Sequence, residues 1–178
     1  TPSNGVMRFS NVPIYEGTLI TSRYTVDLNN LAQRFVISDT RADTTTLSVS
    51  VQTSSSDLST TVYTLATDIT QVTSGANVYF IQEGSDGKFE IYFGDGVVGS
   101  AISNGNIVQL QYIVTNKEKA NGAKVFSTSS VDGETDISIA TLVSARGGAE
   151  PETISSIKFN APLDYSSQGR AVTTQDYK

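Results

Sequence analysis

The fold is decided by residues 89–99, which read Phe-Glu-Ile-Tyr-Phe-Gly-Asp-Gly-Val-Val-Gly. In the first five residues, apolar side chains alternate with Glu90 and Tyr92, which is the two-residue period of a strand with one buried face. The second half carries three glycines, and tight connections use glycine because it accepts a positive φ. The stretch therefore predicts a half-buried strand that ends in a compact, glycine-rich connection.

The same alternation returns on both sides of this stretch. It is clearest at residues 108–114, Val-Gln-Leu-Gln-Tyr-Ile-Val, and recurs at 24–28, 35–37, 47–51 and 78–81. Asp-Gly and Asn-Gly pairs separate several of these segments, and such pairs are typical of tight turns between strands. Short strands at this spacing predict a mainly β protein with an antiparallel, sandwich-like domain.

The sequence changes in character after the charged residues 117–119. Two more strands are predicted at 124–129 and 136–145, and from Thr153 the apolar spacing becomes helical, with a helix of about three turns ending near 160–162. We therefore predict a β-rich domain over residues 1–118 and an α+β segment with one or two helices over residues 119–178.

Both ends of the chain suggest a piece of a longer protein. The first residue is Thr1, and near the other end Thr173 or Thr174 stands where a helix N-cap belongs, with Asp176 in the first turn. We interpret residues 119–178 as the truncated start of a further domain.

The composition excludes several classes of function. The chain has 18 Asp and Glu against 12 Lys and Arg, a net charge of -6, and no His or Cys. The usual general base, thiol nucleophiles and the common zinc ligands are therefore missing. The basic residues are scattered in an acidic chain and form no positively charged patch that would bind phosphate groups. No apolar stretch approaches the roughly 20 residues that are needed to cross a bilayer. We predict no cofactor, no metal, no nucleic-acid partner and no membrane partner.

The glycines at 94, 96 and 99 match the G-x-G-x-x-G pattern of dinucleotide-binding loops, but their context does not. After Gly99 the chain runs into an Asn-Gly pair at 104–105 instead of opening a helix. Asp95 would also repel a phosphate group. We therefore interpret the stretch as a strand connection.

The sequence contains candidate catalytic carboxylates, but we do not predict catalysis from them. Pairs of carboxylates can hydrolyse glycosides, and the candidate residues are Glu83 with Glu90, or Asp132, Glu134 and Asp136. The chain has no Trp to form a sugar platform, and no serine motif with a supporting lysine is present. We predict that the protein is not an enzyme, with a glycosidase as an open alternative.

Two blocks of the sequence resemble a known family. Residues 89–99 followed by 105–112 resemble the F-x-I-x-F-G-D-G-x-x-G and G-x-x-V-x-x-x-Y pattern of phage baseplate proteins. Residues 147–162 followed by 170–177 are similar to the conserved pattern of the baseplate J-like family. In this order, the two blocks resemble the baseplate wedge ring proteins of T-even contractile-tail bacteriophages.

The resemblance implies a structural component of the viral tail baseplate wedge. Proteins of this family associate with themselves and with neighbouring wedge proteins to form the ring around the hub that supports sheath contraction. This implies a late virion protein, assembled in the host cytoplasm, with a homodimer and other wedge proteins as its partners. A receptor- or carbohydrate-binding virion domain and a tail-associated glycosidase remain as alternatives.

The resemblance also implies which residues have a structural or interface role, and for each both roles are open. They are Gly94, Asp95, Gly96 and Gly99 in the strand connection, Gly147 and Gly148 in a turn before the helix, and Arg170, Ala171, Val172 and Tyr177 at the entry to a next helix. Separately, residues 44–53 are long, Thr-rich and weakly charged, which predicts an exposed edge strand that a second copy could complete.

Overall fold

The structure is a computed structural model that describes residues 6–84 and 86–167. The chain divides into two compact units, Thr1–Asn116 and Lys117–Lys178. Each unit is described by itself. No helix in the described ranges has the length and apolar character needed to cross a membrane.

The described part of the first unit contains a short 3₁₀ helix (Ile69–Gln71) and seven strands. The strands are β1 (Thr18–Thr25), β2 (Phe35–Ile37), β3 (Ala42–Gln52), β4 (Thr60–Leu65), β5 (Val78–Glu83), β6 (Phe89–Phe93) and β7 (Ile107–Val114). All belong to one sheet in the order β1-β7-β3-β4-β5-β6-β2. Neighbouring strands run antiparallel except β4 and β5, which are parallel. The prediction of a mainly β protein is confirmed.

The core lies on one face of this sheet, and the alternation in β7 shows why. Every second residue of β7 is buried, from Val108 to Val114, while the residues between them are more exposed. Since successive side chains of a strand point to opposite faces, one apolar residue in two is enough to cover one face. The buried apolar residues are Val26, Phe35, Ile37, Val49, Val51, Tyr63, Tyr79, Ile91, Val108, Leu110, Tyr112 and Val114.

The sheet curls until its two edge strands, β1 and β2, nearly meet. The Tyr24 hydroxyl on β1 donates a hydrogen bond to the Val36 carbonyl oxygen on β2 at 2.6 Å. The Tyr24 ring packs edge-on against Phe35, Phe35 against Phe93, and Phe93 against Tyr63, with ring centroids 5.3 to 5.7 Å apart. The predicted sandwich is not confirmed, because one nearly closed sheet surrounds the core.

β3 lies inside the sheet, between β7 and β4. The prediction that residues 44–53 form an exposed edge is therefore wrong for Val49–Gln52, which pair with β7 on one side and with β4 on the other. The Thr-rich half of β3 forms an irregularity between Asp43 and Ser48, where the hydroxyl groups of Thr45 and Thr46 donate hydrogen bonds to Asp43. The hydroxyl groups of this segment therefore take part in local hydrogen bonding.

The described part of the second unit contains one α-helix, α1 (Ile154–Ser167), and a short 3₁₀ helix (Lys117–Ala120). The predicted start of α1 is confirmed, since the Thr153 carbonyl oxygen accepts the first helical bond, from the Ile157 N–H at 2.9 Å. The helix continues past its predicted end, through Pro162. The strands predicted at 124–129 and 136–145 are wrong, because neither segment forms a strand in the part of the chain that the structure describes.

Candidate functional site

The predicted strand connection after β6 is a hydrogen-bonded turn, here called the glycine connection (residues 94–101). One Asp95 carboxylate oxygen accepts hydrogen bonds from the N–H groups of Val97 and Val98, each at 2.9 Å. The Gly96 N–H donates to the Gly99 carbonyl oxygen at 3.0 Å. The backbone N–H groups of Val98 and Val97 hold the pKa of Asp95 below its ordinary value, since they stabilise the charged form. Asp95 therefore closes the turn.

Close approach explains two glycines of the glycine connection. A Cβ atom on Gly94 would lie 2.4 Å from the Gly99 carbonyl carbon and 2.4 Å from the Val98 oxygen. Gly99 has a φ of +81°, and a Cβ there would lie 2.9 Å from a methyl carbon of Val78. Any larger residue at 94 would force the two arms of the turn apart.

The glycine connection also holds the segment between β4 and β5. The Gly99 N–H donates to the Thr73 carbonyl oxygen at 3.2 Å, and the Ser100 N–H donates to the Ala76 carbonyl oxygen at 2.8 Å. The Val97 side chain, at the apex, is 74% exposed. The connection therefore fixes a neighbouring loop from its base and leaves an apolar apex in solvent.

Gly147 and Gly148 lie in a second compact arrangement, here called the clasp (residues 117–123 and 145–150). The Asn121 side-chain amide forms a reciprocal pair with the Gly148 backbone, accepting from its N–H at 3.1 Å and donating to its carbonyl oxygen at 2.7 Å. A Cβ atom on Gly148 would lie 2.1 Å from the Lys117 oxygen, and Gly147 has a φ of +93°. The two glycines thus let the chain fold back against residues 117–121.

The clasp continues on both sides of this pair. Ala145 accepts a hydrogen bond from the Gly122 N–H at 2.8 Å and donates one to the Ala123 carbonyl oxygen at 2.7 Å. The Lys117 ammonium group forms an ion pair with the Glu150 carboxylate. Sequence analysis treated Asn-Gly pairs only as tight turns and missed the pairing of Asn121 with Gly148, because no local spacing links residues 27 positions apart.

The two groups of predicted site residues lie in different units. The glycine connection belongs to the first unit and the clasp to the second. Both hold backbone segments together, and a role in subunit contact stays a prediction for each. Arg170, Ala171, Val172 and Tyr177 lie outside the described residues.

The candidate carboxylate Glu90 has an environment unlike that of a general acid. It accepts a hydrogen bond from the Tyr92 hydroxyl and forms an ion pair with Arg34 at 2.6 Å. These bonds lower the pKa of Glu90, whereas a glycosidase needs one carboxyl group with a raised pKa. Within the described ranges, no three acidic side chains gather as metal ligands.

The role of the Asp95 carboxylate predicts a pH effect. Because the pKa of Asp95 is lower in the folded state, its stabilising contribution is present above the unfolded pKa and is lost as pH falls through the folded pKa. Asn keeps the accepting oxygen without the charge, and Ala keeps neither. At about pH 7 we expect the free energy of unfolding to be highest for the wild type, lower for Asp95→Asn and lowest for Asp95→Ala. At about pH 3 the difference between the wild type and Asp95→Asn should be smaller.

Urea unfolding of the wild type, Asp95→Asn and Asp95→Ala at both pH values measures this effect. The difference from the wild type isolates Asp95 from the other carboxyl groups with lowered pKa values, such as Asp39 and Asp68. If the difference in free energy of unfolding between the wild type and Asp95→Asn did not change with pH, the charged Asp95 carboxylate would not be the group that stabilises the turn.

Comparison with known proteins identifies the family. The family model described as bacteriophage baseplate wedge protein gp6, third domain, matches residues 22–137. This range includes the glycine connection and six of the seven strands in full, and it covers more than half of the chain. The chain therefore belongs to this family, a class of phage baseplate proteins, and the predicted resemblance is confirmed.

One relative of this chain is the baseplate wedge protein gp6 of Enterobacteria phage T4. It is 30% identical to this chain over 129 residues, which cover 58% of this chain and 19% of that protein. The chain thus spans about a fifth of the length of the relative it matches. Family membership supports a structural role in a phage baseplate and a location in the virion.

Proposed function

We propose that this chain is a noncatalytic module of a phage baseplate wedge. In this role it associates with itself and with neighbouring wedge proteins to form the ring around the tail hub that supports sheath contraction. The protein is made late, is assembled in the host cytoplasm and resides in the virion. The observation that carries the proposal is the family match across the curled sheet and its glycine connection.

The chemistry of the described residues supports a structural role. The carboxylates of Asp95 and Glu16 bind backbone N–H groups, and that of Glu90 binds Arg34 and Tyr92. Each is occupied by a contact that stabilises the fold. A self-assembling ring component needs a rigid domain, and a close-packed core with occupied polar groups is rigid.

We also propose that residues 119–178 begin a further domain, as the sequence predicts. At 100° per residue, Ile154, Ile157 and Tyr165 lie on one side of α1, and Phe159 and Leu163 lie on the opposite side. All five side chains are exposed. A helix with apolar residues on two opposite sides is typical of one that is buried between two layers of a larger domain.

Immunogold electron microscopy tests the location. Antibodies raised against the 178-residue chain are expected to label the baseplate end of intact tails on phage particles that carry this protein. Antibodies against the major sheath protein of the same particles serve as a control, since they should label the length of the tail. Label on fibre tips would contradict the wedge proposal and favour a receptor-binding domain, and absence of label from the baseplate would also contradict it.

A further inference from the structure

Residues 6–15 form an exposed apolar segment ahead of β1, here called the arm. Residues 7–15 belong to no strand or helix. Six of the ten residues have large apolar side chains that are more than half exposed, namely Val6, Met7, Phe9, Val12, Ile14 and Tyr15. Single exposed apolar residues are ordinary, but a continuous apolar segment of this size marks an interaction surface.

The arm leaves the first unit from a fixed root. The Glu16 carboxylate accepts hydrogen bonds from the Asn116 N–H at 2.9 Å and from the Asn116 side-chain amide at 2.5 Å. Gly17 has a φ of +136°, and a Cβ there would lie 2.4 Å from both an Ile113 methyl carbon and the Val114 oxygen. The root is therefore packed against β7, and the arm starts in a defined direction.

A groove lies beside this root, where the two edges of the sheet approach each other. It has a volume of about 320 Å³, with Ile20, Tyr112 and Val114 among its lining residues. Asp39 and Arg41 also line it, and the Arg41 guanidinium group donates two hydrogen bonds, of 3.2 and 3.0 Å, to the two oxygens of the Asp39 carboxylate. Half of the Arg41 side chain is exposed. A flat guanidinium group beside apolar side chains suits an aromatic ring.

We propose that the arm of one copy docks into this groove on a second copy, with the Phe9 ring against Arg41, and that the second copy does the same in return. The proposal rests on the self-association proposed above and names the surface that carries it. Thr18 lines the groove and is two residues from Glu16. Because donor and acceptor are adjacent on one surface, a two-fold axis nearby brings each arm to the other groove.

The area of contact favours a second copy over an unrelated partner. A buried aromatic side chain contributes about 150–250 Å², so Phe9 and Tyr15 of one arm supply about 300–500 Å². A specific interface buries about 800 Å² of surface on each partner. In a reciprocal exchange each copy buries both its arm and its groove, which doubles the aromatic contribution to about 600–1,000 Å² on each copy, before the four aliphatic side chains of each arm are counted. One arm alone falls well short.

The arm can reach the groove of a neighbour. An extended chain spans about 3.3 Å per residue, so Phe9 lies up to about 23 Å from the root at Glu16. Tyr15 lies next to the root and is placed to pack where the two arms cross. The docking is therefore compatible with the rigid root and with an unchanged sheet in each copy.

Light scattering of the 178-residue chain from about 1 µM to about 1 mM tests the proposal. We expect the mass to rise toward twice 19.0 kDa. Phe9→Ser and Arg41→Ala should each weaken the dissociation constant at least about tenfold, as loss of an interface anchor does. Leu31→Ser, at a residue that is 98% exposed outside the arm, is the matched control and should leave the dimer unchanged.

A mixture of the two weakened variants identifies the partner as a second copy. A mixed dimer has one intact contact, between the arm of the Arg41→Ala chain and the groove of the Phe9→Ser chain. The mixture should therefore dimerise more tightly than either variant alone. If the wild-type chain keeps a mass of 19.0 kDa over the whole concentration range, the arm proposal is overturned, whereas the proposed location in the baseplate is not affected. A dimer that Phe9→Ser does not weaken overturns it while self-association stands.

Discussion

Gly94→Ala is expected to lower the free energy of unfolding of the first unit by about 3 kcal/mol or more. The new methyl group would lie 2.4 Å from backbone atoms of Val98 and Gly99. Backbone atoms cannot rotate away as the end of a side chain can, so the glycine connection must open. Its hydrogen bonds to Thr73 and Ala76 would then be strained or broken. Urea unfolding followed by circular dichroism measures the loss.

Gly105→Ala is the matched control for this prediction. Gly105 has a φ of +82°, but nothing lies within 4 Å of the position a Cβ would take. Ala should therefore lose only about 1–2 kcal/mol, the cost of a left-handed backbone conformation. If Gly94→Ala and Gly105→Ala lowered the free energy of unfolding equally, the close backbone approach at Gly94 would not contribute to the cost of the substitution.

Phe35→Ala is expected to lower the free energy of unfolding by about 3–5 kcal/mol, the usual range for a buried aromatic side chain. Phe35 lies on the short edge strand β2 and packs against Tyr24 from the other edge and Phe93 from β6. Its loss would leave a cavity where the sheet nearly closes. Thermal and urea unfolding both measure the change.

Phe9→Ala provides the control, because it removes the same atoms from a side chain that is 78% exposed. It should change the free energy of unfolding of the monomer by less than about 0.5 kcal/mol. Measurement below the dissociation constant of the dimer keeps the two effects apart. If Phe35→Ala were as mild as Phe9→Ala, the ring contacts across the opening would not stabilise the fold.

The interior position of β3 changes where self-association can occur. Val49–Gln52 of β3 have a neighbouring strand on each side, so a second copy cannot add a strand along these residues. The two edge strands of the sheet are β1 and β2. They face each other where the sheet nearly closes, beside the root of the arm. A polar, Thr-rich sequence suggested an edge, but the hydroxyl groups of Thr45 and Thr46 are used by Asp43.

The glycine connection was predicted well because its determinants are local. Asp95 and the N–H groups that it binds are two and three residues apart, and the alternation in β6 directly precedes them. The contacts of the root and the clasp were missed for the opposite reason. Glu16 and Asn116 are 100 residues apart, and no sequence period connects such positions.

Local patterns in the sequence predicted the positions of β2, β3, β5, β6 and β7, the start of the helix and the glycine-rich turn, because each depends on neighbours within a few residues; β1 was predicted only at its last two residues, and β4 was not predicted. The strand order, the nearly closed sheet and the interior place of β3 depend on contacts between distant residues and follow only from the structure. Alternation of apolar residues predicts that a strand has one buried face, but it does not predict which strand lies beside it. That choice depends on how the whole set of strands buries its shared core, as the ring contacts from Tyr24 to Tyr63 show.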